Sequence, residues 1–124
     1  MKRIRIIVVH FIFLASVCFR FANAQVYPAD FAQVLVANGI SNPTVVEFAP
    51  DGRIFVAQQG GSLRVIKNNS LLTTPFITLN VNASGERGLI GITLDPDFTT
   101  NNYLYLYYTV PGSSIHNRVS RFTA

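Results

Sequence analysis

"VVEFAPDGRIFVA", residues Val45 to Ala57, is two short apolar runs on either side of a Pro-Asp-Gly turn. Val, Phe and Ile at this density suit a pleated surface, and the runs have strand rather than helix length. Asp51-Gly52 is a hairpin signal, because such a turn needs a positive φ that glycine reaches without strain. The same grammar returns in "IGITLDPDFTTNNYLYLYY", Ile90 to Tyr108: an apolar strand, a Pro-Asp turn, and a second strand of Leu and Tyr. Asp51 and Asp97 lie 46 residues apart, a spacing expected of one four-stranded propeller blade.

Working outward, almost every segment beyond residue 24 reads as a short strand between turn signals. The predicted strands are Gln33 to Ala37, Thr44 to Ala49, Arg53 to Gln58, Ser62 to Lys67, Phe76 to Leu79, Leu89 to Leu94, Tyr103 to Thr109 and Arg118 to Thr123. Asn38-Gly39, Gly60-Gly61, Asn68-Asn69-Ser70, Asn101-Asn102 and Pro111-Gly112 punctuate them. No stretch carries a sustained helical period. The fold class predicted is all-β, a β-propeller of which the chain covers fewer than two blades, each hairpin continuing into a third strand. A propeller escapes open edges only by closing a ring of roughly 4 to 8 blades. The apolar faces at Val45, Phe48, Ile90 and Leu94 are therefore expected to lack partners, and strand edges to stay unpaired. A small self-contained sandwich has similar strand spacing and is the competing architecture.

The first 24 residues follow different rules. Lys2, Arg3 and Arg5 precede an apolar run from Ile6 to Cys18, and Ala22-Asn23-Ala24 supplies small residues before Gln25. That is the layout of a cleavable secretory signal, with the cut predicted after Ala24. The run is too short for a membrane anchor, which needs roughly 20 residues. Four of the ten Lys and Arg belong to this segment, so residues 25–124 carry six bases against six acids and are formally neutral. The overall charge of +4 thus gives no support for a nucleic-acid partner. Cys18 leaves with the signal, which excludes disulfide and thiolate chemistry from the exported part. Residues 25–124 are expected to be the amino-terminal, incomplete part of one propeller domain, and no membrane contact is expected after cleavage.

Four segments, in order, carry a resemblance: Ile40-Ser41-Asn42-Pro43-Thr44 through Ala57, "GERGLIG" (Gly85 to Gly91), "DPDF" (Asp95 to Phe98) and "NRVSRF" (Asn117 to Phe122). Together, from about Phe31 to Phe122, they resemble the amino-terminal part of the glucose/sorbosone dehydrogenase family, the soluble quinoprotein sugar dehydrogenases. The resemblance implies an incomplete part of a six-bladed propeller. It implies an exported enzyme, periplasmic or secreted, that holds pyrroloquinoline quinone (PQQ) and Ca²⁺ and oxidises an aldose by hydride transfer to the quinone. An external electron acceptor would then reoxidise it. The family's histidine base lies in a segment beyond Ala124, so no catalytic residue and no metal ligand is assigned within this chain. A non-catalytic binding propeller, similar to hedgehog-interacting-protein-like members of the superfamily, is the alternative.

The same resemblance singles out Glu86 and Arg87 as cofactor-binding. Glu86 matches a glutamine that contacts the quinone in glucose-oxidising members. As a carboxylate facing a tricarboxylate cofactor it would need a raised pKa or a compensating charge, from Arg87 or a Ca²⁺ ion. The competing reading is a tight turn, Gly85 to Gly88, whose charges stay in solvent. As a Gly-x-x-Gly it also fits an RNA-binding KH loop in form, but no flanking helices or basic face accompany it. His116, the one histidine beyond the signal, reads as an exposed loop residue. Asp95 and Asp97 read as turn-capping carboxylates, with Asp51 the repeat of Asp97. Tyr103, Tyr105, Tyr107 and Tyr108 read as a strand with one tyrosine-lined face packed between blades, with sugar stacking the minor alternative. Asn68-Asn69-Ser70 and Asn82-Ala83-Ser84 fit the glycosylation sequon, which matters only in a eukaryotic secretory pathway.

Overall fold

The structure, a computed structural model, describes residues 26–124. The predicted export signal, residues 1–24, lies outside the described residues. The chain divides into two compact units between Gln33 and Val34. In the described part of the first unit, the Phe31 amide donates to the Pro28 carbonyl at 3.2 Å, closing a turn with Asp30 at positive φ. All strands among the described residues fall in the second unit, Val34–Ala124.

That unit holds β1 (Pro43–Phe48), β2 (Ile54–Gln58), β3 (Ser62–Lys67), β4 (Ser70–Leu71), β5 (Ile77–Thr78), β6 (Leu89–Leu94), a one-turn helix α1 (Phe98–Asn101), β7 (Tyr103–Val110) and β8 (His116–Thr123). They build two antiparallel sheets in sequence order. In the first, β1, β2 and β3 meander and the outer side of β3 is shared by the two-residue strands β4 and β5. The second is β6-β7-β8. The fold is all-β, one propeller blade with a divided outer position followed by a three-stranded one.

Turn chemistry explains the strand order. At the first hairpin the Ala49 amide donates to the Arg53 carbonyl at 2.8 Å, and Gly52 sits at φ +84° as its turn requires. The equivalent closing bond in the second sheet runs from the Asp95 amide to the Tyr103 carbonyl at 3.0 Å. There the connection is longer and folds into α1, which Asn102 ends by turning left-handed at φ 56° with its N–H on the Phe98 carbonyl. Asn68 and Asn69 both take positive φ and join β3 to β4 as a two-residue turn. The strand predicted over Gln33 to Ala37 does not form, and Phe76 to Leu79 shrinks to the two residues of β5.

The two sheets face each other across one core. Phe55, Leu63, Leu89, Leu104 and Leu106 are fully buried there, joined by Ala57, Val65, Phe98 and Tyr108. Each large apolar side chain removed from water in this way contributes about 1.5–3 kcal/mol. Phe55 meets Phe76 and Phe98 edge-on, at centroid distances of 5.9 and 6.4 Å. Val45 and Leu94 pack against this cluster, so the expectation that they lack partners is not met. Ile90 is half-buried. Phe48 fulfils the expectation: β1 alternates, and the side chain points to the far face of the first sheet, 69% exposed beside the exposed Val46. The tyrosine expectation also divides. Tyr108 enters the core because Tyr107 and Tyr108 are consecutive and must point to opposite faces, whereas Tyr103, Tyr105 and Tyr107 share the far face of the second sheet.

Each sheet begins with the same irregularity. Pairing of β1 with β2 steps from Pro43↔Gln58 to Val45↔Ala57 and leaves Thr44 as an extra residue. Pairing of β6 with β7 steps from Leu89↔Tyr108 to Gly91↔Tyr107 and leaves Ile90 extra. Thr44 and Ile90 are 46 residues apart, so the bulge repeats with the same period as the hairpin.

Candidate functional site

The bulges, the β2–β3 turn and the segment Ser84–Gly88 gather at one end of the two sheets. The start of β6 meets the start of β1 and the end of β2 there. Within Ser84–Gly88, the Ser84 amide donates to Asn82 Oδ1 at 3.1 Å, and the Arg87 amide returns to the Ser84 carbonyl at 3.3 Å. Gly85 stands at φ +63° and Gly88 at φ +133°. Between them, Glu86 and Arg87 are exposed. Among the described residues the ion pair found is Arg53 with Asp51, at 2.7 Å, and none joins Glu86 to Arg87. The turn therefore presents one carboxylate and one guanidinium to solvent, side by side and unneutralised.

The main chain of this turn is held by the other sheet. Gln59, just past β2, donates through Nε2 to the Gly85 carbonyl at 2.6 Å and to the Arg87 carbonyl at 3.0 Å. Its own carbonyl accepts from the Leu89 amide at 3.0 Å. Thr44, the bulged residue of β1, donates its hydroxyl to the Leu89 carbonyl at 2.7 Å, so both polar groups of the Leu89 backbone are satisfied from the first sheet. A Cβ on Gly88 would lie 2.3 Å from the Gln59 carbonyl oxygen, which makes glycine obligatory there. Neither Gln59 nor Thr44 stands out in the sequence. Gln59 lies in a Gln-Gln-Gly-Gly turn and Thr44 opens a β-branched strand, and the signals that could have marked them are tertiary.

His116, the first residue of β8, lies at the same end. Its Nδ1 is 2.8 Å from the Ser114 carbonyl and its Nε2 is 3.3 Å from an Arg118 Nη. It is exposed, as expected of a loop histidine. Both ring nitrogens are already engaged by neighbours along its own segment.

The opposite end holds Asp51, Asp95 and Asp97. Asp95 accepts from the Tyr105 hydroxyl at 2.7 Å, the Asn101 amide at 2.9 Å and the Asp97 N–H at 3.0 Å. These bonds, that of Tyr105 first, hold the Asp95 carboxyl below its ordinary value and raise the Tyr105 phenol. At Asp51 partial desolvation pushes the carboxyl up, but bonds from the Arg53 amide and guanidinium outweigh it and the net direction is down. Asp51 and Asp97 are equivalent in position, as the repeat implies. Their side chains are not, since Asp97 makes no side-chain cap to α1 and its place is taken by Asp95. Asp51 and Asp95 are thus turn-stabilising groups. No group of three or more His, Cys, Asp or Glu able to hold a metal is found among the described residues, and no helix among them is long and apolar enough to cross a membrane.

Two successive antiparallel sheets, with a glycine-flanked charged turn at the head of the second, are the architecture of a β-propeller. Residues 40–124 match the sequence profile of the Glucose / Sorbosone dehydrogenase family, and the chain belongs to that family. It is 26% identical, over 98 residues covering 69% of its length, to quinoprotein glucose dehydrogenase B of Acinetobacter calcoaceticus, of which it spans 20%. An oxidoreductase (glucose dehydrogenase) structure from Thermus thermophilus superposes with a TM-score of 0.65 at 33% identity, over 71% of this chain and 26% of the other. The PQQ-bound aldose sugar dehydrogenase of Streptomyces coelicolor superposes with a TM-score of 0.62 at 28% identity, over 71% and 26%. The chain thus spans about a fifth to a quarter of the length of these relatives.

Proposed function

We propose that the complete protein is an exported, PQQ-dependent aldose dehydrogenase and that this chain supplies its amino-terminal blades, residues 1–24 acting as the export signal. The observation that carries the proposal is the membership of a sugar dehydrogenase family together with a charged turn at the head of β6 whose main chain is hydrogen-bonded by Gln59. The donor set suits the cofactor on one side: Arg87 is exposed, without a carboxylate partner among the described residues, and matches an anionic oxygen ligand. Glu86 is compatible with the same ligand only with a proton or a shared cation, for which Ca²⁺ is the natural choice. The quinone, when bound, would take the hydride of a sugar, and an external acceptor would reoxidise it. The residues here would bind and orient, with Arg87 holding a quinone carboxylate and Gln59 fixing the turn. The proton acceptor would come from the remainder of the protein, since His116 is tied to Ser114 and Arg118.

Glu86 also motivates a second reading, a binding propeller without catalysis, because it stands where the resemblance expects a glutamine. Quinone titration followed by dye reduction with an aldose, on the complete protein, separates the two. Arg87→Ala is expected to weaken quinone binding by about tenfold to a hundredfold, the size of one charge-assisted bond. Glu86→Gln is expected to bind at least as tightly as the parent when Ca²⁺ is chelated. Absence of quinone binding by the parent protein would leave the recognition reading.

A further inference from the structure

We propose that Gln59 is a positioning residue for the charged turn: a side chain of the first blade that sets the conformation of the ligand-facing segment of the second. The inference deepens the quinone reading of Glu86 and Arg87 and rests on it.

Three observations converge. The Gln59 amide is the one side-chain donor reaching the turn's carbonyls among the described residues, and it takes both Gly85 and Arg87, the two that flank Glu86. Gln59 is itself fixed by its main chain, with its N–H on the Asn42 carbonyl at 2.9 Å and its carbonyl on the Leu89 N–H at 3.0 Å. It is also packed into place, since Gly88 approaches so closely that a Cβ would lie 2.9 Å from Gln59 Cγ. An anchored donor that spans the carbonyls of the residues before and after a charged one restrains that residue's backbone. Fixing a loop residue's φ and ψ in the free protein removes conformational freedom that a ligand would otherwise have to remove on binding. Preorganisation of this kind raises affinity without adding a contact. Gln59 is also replaceable in shape but not in chemistry. Methionine matches its length and lacks the donors. Glutamate matches its outline and, when ionised, turns an acceptor toward two carbonyl oxygens.

The test uses the complete protein with Gln59→Met and Gln59→Glu, reading two quantities on each. The first is amide hydrogen exchange of the peptide containing Gly85–Gly88 without ligand. The second is the Kd for PQQ from intrinsic-fluorescence quenching. Exchange at the turn is expected to rise about threefold to tenfold in Gln59→Met and more in Gln59→Glu, and Kd for PQQ to rise by a similar factor, with protection of the Leu104–Leu106 core unchanged. Unchanged exchange at the turn in both variants overturns the proposal. Loss of protection in the core as well as the turn also overturns it, since Gln59 would then be a general support of the fold. Faster exchange at the turn with an unaltered Kd supports the clamp and overturns the ligand role of Glu86 and Arg87, so the two failures are distinguishable.

Discussion

Gly88→Ala compared with Gly85→Ala tests whether the charged turn is built by contact between sheets or by its own sequence. Both glycines border the Glu86-Arg87 pair and both take positive φ, but their surroundings differ. A methyl on Gly85 meets nothing within 4 Å, so its cost is that of a left-handed non-glycine residue at φ +63°. That is about 1–2 kcal/mol, offset by about 0.4–1 kcal/mol from the stiffer unfolded chain. A methyl on Gly88 starts from φ +133°, a region open to glycine alone, and stands 2.3 Å from the Gln59 carbonyl oxygen. That oxygen cannot retreat without stretching its 3.0 Å bond to the Leu89 N–H. Backbone strain of about 1–3 kcal/mol and overpacking of about 1–3 kcal/mol then add. With the same unfolded-chain offset at both sites, Gly85→Ala is therefore expected to cost about 0–1.6 kcal/mol and Gly88→Ala about 1–5.6 kcal/mol. Urea denaturation of the complete protein reads the difference from the midpoints, provided the slopes agree. Equal losses, or a larger loss at Gly85, would refute the cross-sheet contact.

Thr44→Val keeps the shape of the bulged residue but removes the donor to the carbonyl of Leu89, a residue that is fully buried. It should cost about 1–3 kcal/mol in the same denaturation assay, while Thr44→Ser, which keeps the hydroxyl, should cost clearly less; equal losses would remove the hydroxyl from the account. The Asp95–Tyr105 pair sets two pH limbs of opposite sign. Asp95 is depressed from 3.8, so its contribution is present above that pH and lost as pH falls through the lower folded value. Tyr105 is raised from 10.0, so its contribution is present below that pH and lost as pH climbs through the higher folded value. Tyr105→Phe should flatten the alkaline limb of a stability–pH curve and reduce the acid one, and Asp95→Asn should flatten the acid limb; an unchanged curve in both variants would show that the pair is not coupled to folding.

The sequence discloses what depends on neighbours along the chain. Ser62–Lys67 and Leu89–Leu94 emerge with the boundaries expected of them, because turn residues bracket each one. Gly52 takes the positive φ that Asp-Gly implies. Expectations fail where the deciding partner is distant. Gln33 to Ala37 has strand composition but finds no partner strand, so propensity alone does not order it. β4 and β5 are two residues each, too short to carry any alternation, and exist only because β3 offers them an edge. The repeat places Asp97 at the position equivalent to Asp51, yet with the longer connection through α1 the turn's side-chain bond is made by Asp95, whose second oxygen is claimed by Tyr105 on the strand beyond. At the candidate site, Glu86 and Arg87 are legible from their glycine flanks and from the family pattern. Gln59 and Thr44 are not, since each acts on a residue 26 to 45 positions away.

The distribution of those long-range bonds gives the repeat its functional sense. Among the described residues, hydrogen bonds that cross from one sheet to the other come from Thr44, Gln59 and Leu89, all at the end that carries the charged turn. At the opposite end the polar network of Asp95, Asn101 and Tyr105 stays within the second sheet, and what crosses there is ring packing of Phe55 on Phe98, with the Arg53 guanidinium 5.7 Å from the Phe98 centroid. Apolar contacts tolerate small sliding between blades, whereas short directional bonds fix register and angle. A pair of blades joined softly at one end and directionally at the other is most constrained where the bonds are. The repeated bulge supplies the opening for this: it frees Thr44 from the β1–β2 ladder to reach the next blade, while Ile90, in the equivalent position, has no hydroxyl to do the same. The positional repeat carries the scaffold, and the departures from it at Thr44, Gln59 and Gly85–Gly88 account for why the cross-sheet hydrogen bonds are concentrated beneath Glu86 and Arg87.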